Sequence, residues 1–315
     1  MSFKRILITG GCGFIGSNLI DVLRSRDNVE IRVLDNEATG SRDELAEFDV
    51  EMLFGDVADP AVVDRALANV DLVVHLAADT RVMDSIADPE QNFRTNVVGT
   101  FNLLCRMRSA GVDRIVSAST GGAILGEIEP PVHEAMAASP LSPYGASKLS
   151  AEGYCSAFSG AYGFAATSLR FSNVYGPRSY HKGSVIAQFF KRLLADEDLV
   201  VYGDGTQTRD FVFVSDLCEG IVLAMKSGTS GVFQLGSGIP TTLNELIDEM
   251  RSTVGTDRRV SVRFEPFRAG EIHRTWCDIG KARRSLGYDP KTTLAEGLAR
   301  TWGWFRRAMA VRVNA

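Results

Sequence analysis

The chain has 315 residues, of which 45% are hydrophobic and 23% are charged, a composition typical of a folded globular protein. Its 34 basic and 39 acidic residues give a net charge of −5, so we expect no nucleic-acid partner. Five widely spaced cysteines without a Cys-x-x-Cys pair argue against a disulfide framework and against a metal site. The N-terminus does not resemble a signal peptide and no apolar run could cross a bilayer, so we expect a cytoplasmic protein with no membrane partner.

The first sixteen residues predict a strand, a glycine-rich turn and the start of a helix. The strand is the apolar run 5–8, the turn is Thr9–Gly16, and apolar residues with helical spacing follow. In such a turn Gly10 permits the tight bend, Gly13 lets a pyrophosphate approach the backbone, and Gly16 packs the helix against the strand. The free N–H groups and the dipole at the helix N-terminus favour an anion there.

A second apolar run at residues 29–34 ends on Asp35, at about the distance from Gly10 at which dinucleotide-binding folds place an acidic residue. A carboxylate at this point accepts hydrogen bonds from an adenosine ribose and repels a 2′-phosphate, which favours NAD over NADP. Taken singly, the glycines could form an ordinary turn and Asp35 a solvated strand end. Their order along the chain, with the helix between them, predicts a dinucleotide site.

Strand and helix patterns then alternate through the first half of the chain. This alternation predicts an α/β fold with a Rossmann-like, doubly wound parallel sheet over residues 1–172. Residues 173–315 predict a smaller C-terminal α/β substrate domain, and the segment 211–235 is expected to return to the first domain. The further strands are predicted at 51–54, 72–76, 114–118 and 165–171, and the helices after Asp59-Pro60 and at 89–110, 143–162, 242–254 and 293–310.

Tyr144 and Lys148 lie four residues apart at the start of a predicted helix and therefore share one face of it. An ammonium beside a phenol lowers the phenol pKa from about 10, and a nicotinamide cation adds to this effect. The resulting phenolate could take a proton from a sugar hydroxyl while a hydride leaves the same carbon. A Tyr-x-x-x-Lys pair alone is often only a solvated helix face, but behind a dinucleotide site it favours a catalytic role.

The strand predicted at 114–118 ends among hydroxyl side chains. Because ligands of open α/β sheets bind at the carboxyl ends of the strands, we expect these hydroxyls to face the cofactor. Thr120 is the first candidate, and Ser119 the second, for the group that holds the reacting oxygen towards Tyr144. For Ser117 the alternative is a strand-end hydroxyl bonded to the backbone.

These motifs together resemble the extended short-chain dehydrogenase/reductases, specifically the NAD-dependent nucleotide-sugar epimerase/dehydratase group, and look most like UDP-sugar 4-epimerases. The resemblance covers nearly the whole chain and is more specific for the group than for the substrate. It is carried by Tyr144, Lys148 and the segments 9–16, 75–78, 96–100, 169–177, 202–205, 208–212, 231–238 and 268–271.

The resemblance implies NAD as cofactor and a UDP-sugar as substrate. Asp56 and Val57 would flank the adenine, with Asn36 and Thr39 near the adenosine ribose. The implied catalytic residues are Tyr144, Lys148, Thr120 and Ser119. The implied cofactor-binding residues are Gly10, Gly13, Phe14, Ile15, Gly16, Asp35, Asn36, Thr39, Asp56, Val57, Leu76, Ala77, Ala78, Asn96, Ser117, Tyr144 and Lys148. The implied substrate-binding residues are Thr120, Asn173, Val185, Tyr202, Arg209, Arg268 and Glu271.

Two arginines could neutralise the substrate diphosphate, although surface solubility is the alternative role for either one alone. The resemblance also implies a homodimer joined through the helices 89–110 and 143–162, with packing inside one chain as the alternative. We interpret His181-Lys182-Gly183 as a solvated loop.

The chain departs from dehydratases of the group, which carry an Asp-Glu pair after the threonine. Here Thr120 is followed by Gly121-Gly122, and the next acids, Glu127 and Glu129, are interpreted as loop charges. The sequence therefore favours NAD-dependent inversion of C4 of a UDP-sugar through a transient 4-keto intermediate. Decarboxylation, dehydration and 4-keto reduction of a nucleotide sugar remain alternatives, as does a non-catalytic NAD-binding protein.

Overall fold

The structure, a computed structural model, describes residues 3–25, 29–267 and 272–313. Its main sheet has seven strands in the order β10-β6-β5-β4-β1-β2-β3, and all the pairings are parallel. The sheet order reverses between β1 and β4, which is the topological switch point of a doubly wound fold. The predicted fold class is confirmed. In chain order the strands are β1 (Arg5–Thr9), β2 (Glu30–Asp35), β3 (Glu51–Phe54), β4 (Leu72–His75), β5 (Arg114–Thr120), β6 (Ala165–Phe171), β7 (Asn173–Tyr175), β8 (Leu199–Tyr202), β9 (Thr208–Phe213), β10 (Gly231–Leu235), β11 (Pro240–Thr242) and β12 (Val262–Glu265).

Helices cover both faces of this sheet, since the middle strands of the sheet are mostly buried and need cover on each side. The helix predicted over 89–110 is interrupted by a π-helical turn, Arg94–Val98, which widens the helix around the side chain of Asn96. The helices are α1 (Phe14–Arg24), α2 (Pro60–Ala66), α3 (Val82–Ala87), α4 (Pro89–Phe93), α5 (Gly99–Ala110), α6 (Pro143–Tyr162), α7 (Val185–Leu194), α8 (Val214–Ser227), α9 (Leu243–Val254), α10 (Gly280–Leu286) and α11 (Leu294–Val313), with 3-10 turns at Arg42–Leu45 and Gly255–Asp257.

The second half of the chain builds two small sheets, β11-β9-β7 and β12-β8. A separate apolar core, which includes Phe190, Leu246, Trp302 and Phe305, joins α7, α9 and α11 to them. The part of this half that joins the main sheet begins at α8, which packs on α1, and ends with β10, the neighbour of β6. Residues 211–213, expected in the same returning segment, instead belong to β9 of the three-stranded sheet.

The carboxyl ends of β1, β2, β4, β5 and β6 meet along one edge of the main sheet, because parallel strands all point the same way. The loops that follow them therefore gather the predicted site residues. Among the described helices, none is both long and apolar enough to span a membrane.

Candidate active site

The glycine turn between β1 and α1 is packed so closely that side chains would not fit. Gly10 has φ +73°, and a Cβ there would lie 2.6 Å from the backbone nitrogen of Ala77. At Gly13 a Cβ would meet only the Gly10 carbonyl, at 3.3 Å, so this face of the turn is open. Gly13 caps α1 without a side-chain hydrogen bond, and the first N–H groups of the helix, at Phe14 and Ile15, have no partner within the helix. This cradle fits a pyrophosphate.

Asp35 ends β2 beside this turn. Its carboxylate accepts hydrogen bonds from the backbone nitrogens of Cys12, at 2.9 Å, and Glu37, at 2.7 Å, and its burial raises its pKa. Asn36 follows it and donates to the Asp56 carboxylate at 3.2 Å, while Thr39 is exposed. The carboxylate and amide groups predicted for the adenosine ribose thus lie on adjoining loops.

Two further predictions concern the walls of the cofactor site. Val57 was expected to flank the adenine, but its side chain is buried in the core, where a Cβ on Gly99 would lie 2.7 Å from it. The Val57 side chain packs against the start of α5, whereas the Asp56 side chain stays half-exposed, and the adenine contact of both residues stays a prediction. The half-buried residues 76–78 lie against the glycine turn, with the Leu76 nitrogen donating to the Thr9 carbonyl at 3.0 Å.

Tyr144 and Thr120 share a side-chain hydrogen bond at the carboxyl end of β5. Burial raises the pKa of Tyr144 to about 12, a nearby Asp79 carboxylate raises it further, and the Thr120 hydrogen bond opposes the rise. The Lys148 ammonium donates to the Ala118 carbonyl at 3.0 Å. Its predicted effect on the phenol pKa stays a prediction, and a positively charged cofactor ring beside the phenol would lower that pKa.

Lys148 is buried at 5% exposure, and this burial lowers its pKa to about 8. The negative charge of Glu152, one helical turn further along α6, acts in the opposite direction. Sequence reasoning did not identify Glu152 or Asp79. The four-residue spacing from Lys148 is a signal that could have pointed to Glu152.

The alternation of side chains along β5 separates the hydroxyl candidates. Ser117 and Ser119 face α6, where Ser119 donates to Glu152 at 2.6 Å and Ser117 hydrogen-bonds with Cys155. Both hydroxyls are buried and bonded towards α6, and their contact with the cofactor or the reacting oxygen stays a prediction. Thr120, at the end of β5, interacts instead with Tyr144 in the first turn of α6.

Asn96 also acts through its neighbours. Its amide donates to the Asp79 carbonyl at 2.8 Å and to Ser147 Oγ at 2.9 Å, and its oxygen accepts from the Asp79 nitrogen at 2.8 Å. The side chain is buried and its amide groups are bonded within the protein, while its predicted cofactor contact stays a prediction. It ties the loop after β4 to α6, which carries Tyr144.

The predicted substrate residues follow neighbouring strands. Thr120 pairs in register with Phe171 of β6, only two residues before Asn173, and Asn173 pairs with Phe211 of β9. Arg209 lies on β9 and donates to the His273 carbonyl at 3.2 Å. Further out, Val185 begins α7 and Tyr202 ends β8, both half-buried. Arg268 and Glu271 lie outside the described residues.

The loop after Thr120 offers no acidic pair. Glu127 is exposed, and Glu129 forms an exposed ion pair with Arg274 at 3.3 Å. A Cβ on Gly122 would lie 3.6 Å from Thr275 Oγ1, so the segment after residue 271 covers this loop. The acid and base needed for loss of water are therefore missing from this loop.

A family model described as "NAD dependent epimerase/dehydratase family" matches residues 6–236. The chain belongs to the NAD-dependent epimerase/dehydratase family. The predicted resemblance and the predicted cofactor, NAD, are both confirmed, and the glycine cradle described above fits that cofactor. Within the family, the chain is an enzyme of the UDP-sugar epimerase group.

Three members of this family show how close the similarity is. A putative UDP-glucose 4-epimerase of Methanocaldococcus jannaschii is 37% identical over 305 residues, which is 96% of this chain and 98% of that protein. UDP-glucuronic acid decarboxylase 1 of Arabidopsis thaliana is 33% identical over 96% of this chain and 70% of its own length. The crystal structure of a Thermus thermophilus UDP-glucose 4-epimerase in complex with NAD gives a TM-score of 0.90 at 36% identity, covering 97% of this chain and all of that one.

Proposed function

We propose that this enzyme inverts C4 of a UDP-sugar through a transient 4-keto intermediate. The observation that carries the proposal is the hydrogen bond between Tyr144 and Thr120, at the same carboxyl edge of the sheet as the glycine cradle. A phenol and a hydroxyl in this arrangement can hold one substrate oxygen between them and move its proton. The similarity to UDP-glucose 4-epimerases supports the same reaction.

The chain's own residues supply proton transfer and orientation. Tyr144, as a phenolate, takes the proton of the C4 hydroxyl, and Thr120 holds the C4 oxygen so that the proton lies in line with the phenolate. NAD, when bound, supplies a hydride acceptor that can also give the hydride back. Lys148 would donate a hydrogen bond to the nicotinamide ribose. At the end of the reaction Tyr144 returns the proton to the C4 oxygen.

Inversion requires the sugar to turn over while the nucleotide stays bound. Arg209 on β9, together with Asn173 and the predicted Arg268, would anchor the diphosphate, with Glu271 on the ribose and Tyr202 near the base. Binding energy from this remote end keeps the intermediate in the site without fixing the sugar ring.

A decarboxylase is the second candidate, because a relative with that name aligns with 96% of this chain. Decarboxylation uses the same oxidation at C4 and then releases CO2, so the residues above do not by themselves separate the two reactions. The loop Gly121-Gly122 argues against dehydration, which needs an acid and a base there.

The test uses the full-length protein as purified, incubated separately with UDP-glucose, UDP-N-acetylglucosamine and UDP-glucuronate without added NAD, and followed by proton NMR. The appearance of the C4 epimer of any one of them supports the proposal and identifies the sugar. A pentose product with release of CO2 from UDP-glucuronate would assign a decarboxylase. No conversion of any of the three would refute the proposal as stated.

The apolar face formed by α3, α4, α5 and α6 supports a homodimer. Met83, Ile86, Phe93, Phe101 and Tyr154 are exposed on it, and the rings of Phe101 and Tyr154 lie 5.0 Å apart. Monomeric proteins rarely leave so continuous an apolar face in water, so we propose that a second copy of the chain covers it. A cytoplasmic location remains a proposal, which the five free cysteines suit because reducing compartments keep thiols unpaired.

A further inference from the structure

Lys182 lies in the loop between β7 and α7, and the structure does not place it as the sequence predicted. The prediction of a solvated loop holds for the exposed His181 and Gly183, but the Lys182 ammonium is turned inwards. It donates to the Val174 carbonyl at 2.9 Å and lies 4.9 Å from the centre of the Phe14 ring. Phe14 is the first residue of α1, so this ammonium lies beside the glycine cradle.

The loop that carries Lys182 is fastened at both ends. Ser179 Oγ donates to the Gly176 carbonyl at 2.6 Å, and the Lys182 nitrogen donates to the Ser179 carbonyl at 2.9 Å. Asn18 of α1 donates to the Pro177 carbonyl at 3.1 Å, which ties the loop to the helix. The position of the ammonium is therefore set by the fold and not by a free side chain on the surface.

The charge of this ammonium is poorly compensated within the protein. Burial lowers the pKa of Lys182 to about 8, and no carboxylate among the described residues acts on it. One carbonyl and one aromatic face are its only described partners, so two of its three N–H donors have none among those residues. Lys182 is half-buried as a residue, and a cation drawn partly out of water without a carboxylate favours a bound anion beside it.

We propose that Lys182 is a cationic contact for a diphosphate bound between the start of α1 and the loop from β7 to α7. The first N–H groups of α1, which have no partner within the helix, would meet the anion from one side, and the Lys182 ammonium would meet it from the loop. The diphosphate is that of the dinucleotide or that of the sugar nucleotide, since both molecules carry this group. The inference rests on the use of NAD, and the substrate arm also rests on the proposed function.

The test compares Lys182→Met with Lys226→Met, which removes the same charge at an exposed position near the end of α8. Full-length protein freed of its cofactor is titrated calorimetrically with NAD, ADP and adenosine, and with UDP and uridine. We expect Lys182→Met to raise the Kd for NAD and ADP, or the Kd for UDP, by roughly tenfold, about 1.4 kcal/mol. The Kd for adenosine and uridine should stay within about twofold of the wild type, because these lack the charge that a salt-sensitive contact needs.

The pattern across ligands decides the matter. Loss of ADP binding identifies the cofactor's diphosphate as the anion, and loss of UDP binding identifies the substrate's. Unchanged affinity for both, or an equal loss for adenosine and uridine, overturns the inference, the latter because it reports damage to the site. Since the readout is binding, a failure here is distinct from a failure of the epimerase reaction, which the wild-type NMR assay reports separately.

Discussion

The Ser119 hydroxyl donates a hydrogen bond of 2.6 Å to the Glu152 carboxylate, behind the strand end that carries Thr120. The same carboxylate accepts two hydrogen bonds from Arg170, at 2.9 and 2.8 Å, and both charged groups are buried. Glu152 also raises the pKa of Lys148 against the effect of burial. Cys155 on α6 also raises the pKa of Lys148. The positive charge of Lys148 lowers the pKa of His75, at the end of β4. This buried ion pair therefore links the core of the sheet to the ammonium at the active site.

Replacing Glu152 by Gln should lower both the stability of the fold and the pKa of Lys148. The Arg170 guanidinium would lose its buried carboxylate, which typically costs about 3–5 kcal/mol. Without the negative charge, Lys148 should lose its proton below pH 8, so the alkaline limb of the pH–rate profile should move to lower pH. Denaturant unfolding and pH–rate profiles measure the two effects.

Glu30→Gln provides the matched control for that substitution, because it removes an exposed carboxylate paired with Arg5 at 2.6 Å. Exposed pairs contribute about 0–1 kcal/mol, so this variant should change little. Equal stability losses in the two variants, together with identical pH profiles, would contradict the role given to Glu152.

Thr120 and Ser119 are adjacent, yet we expect their substitutions to act on different properties. Thr120→Val keeps the shape and removes the hydroxyl that bonds Tyr144, so turnover should fall by roughly a hundredfold or more, as when one oxygen-holding donor is lost. Ser119→Ala removes a buried hydrogen bond and should cost about 1–3 kcal/mol of stability with little change in turnover. Kinetic assays and thermal unfolding of both variants provide the comparison. A rate loss in Ser119→Ala as large as in Thr120→Val would mean that Ser119 takes part in the reaction.

The fold was predictable because its signals are local. The apolar run before Gly10 and the helical pattern after it define the first βα unit, and β3, β4 and β5 are likewise each followed by a helix. Since carboxyl ends of parallel strands share an edge, the placement of Asp35, Thr120 and Asn173 along that edge also follows from chain order. The predicted strand ends differ little from the observed ones: β5 extends two residues beyond the predicted strand.

The sequence did not predict the directions of several side chains, because these depend on neighbours distant in sequence. Ser119 faces Glu152 because of the register between β5 and α6, and Val57 is buried because Gly99 lets α5 approach it. Lys148 donates to a strand carbonyl, and Lys182 folds inwards because its loop is tied to α1. No periodicity in the sequence reports these contacts.

His75 should make the fold sensitive to acid. It is buried between Thr9 and Thr100, at 2.7 and 2.9 Å, and burial lowers its pKa to about 3 from an ordinary value near 6.5. Between pH 6.5 and about 3, the His75 imidazole therefore binds a proton in the unfolded chain but not in the folded chain. Stability from this group is complete above pH 6.5 and is lost as the pH falls through that window.

The measurement for His75 is the free energy of unfolding against pH, for the wild type and for His75→Gln. The slope between pH 6.5 and 4.5 should be smaller in the variant by up to about 1.4 kcal/mol per pH unit, the effect of one proton. Gln loses the titrating group, so its overall lower stability does not affect this comparison. Parallel slopes for the two proteins would exclude His75 as the acid-sensitive group.

We expect the apolar face on α3 to α6 to be buried in a dimer interface. Phe101→Asp places a charge in its centre, beside Tyr154, and should give monomers in size-exclusion chromatography with light scattering. Ile239→Asp is the control, because this residue is exposed in the connection between β10 and β11, outside that face. A monomeric wild type would exclude the dimer. A dimer that survives Phe101→Asp but not Ile239→Asp would place the interface on another face.

Tyr144→Phe should abolish turnover while leaving ligand binding intact. The substitution removes only the hydroxyl, so the proposed proton transfer is lost and we expect the rate to fall by at least about a thousandfold, near the upper range for a general base. NAD content and UDP affinity should be unchanged. Tyr162→Phe, at the exposed C-terminal end of α6, is the matched control and should keep the wild-type rate.

The phenol pKa of about 12 without cofactor should also fall when NAD binds, which the ultraviolet difference titration of wild type against Tyr144→Phe measures. Epimerisation at an undiminished rate in the phenylalanine variant would mean that another group moves the C4 proton.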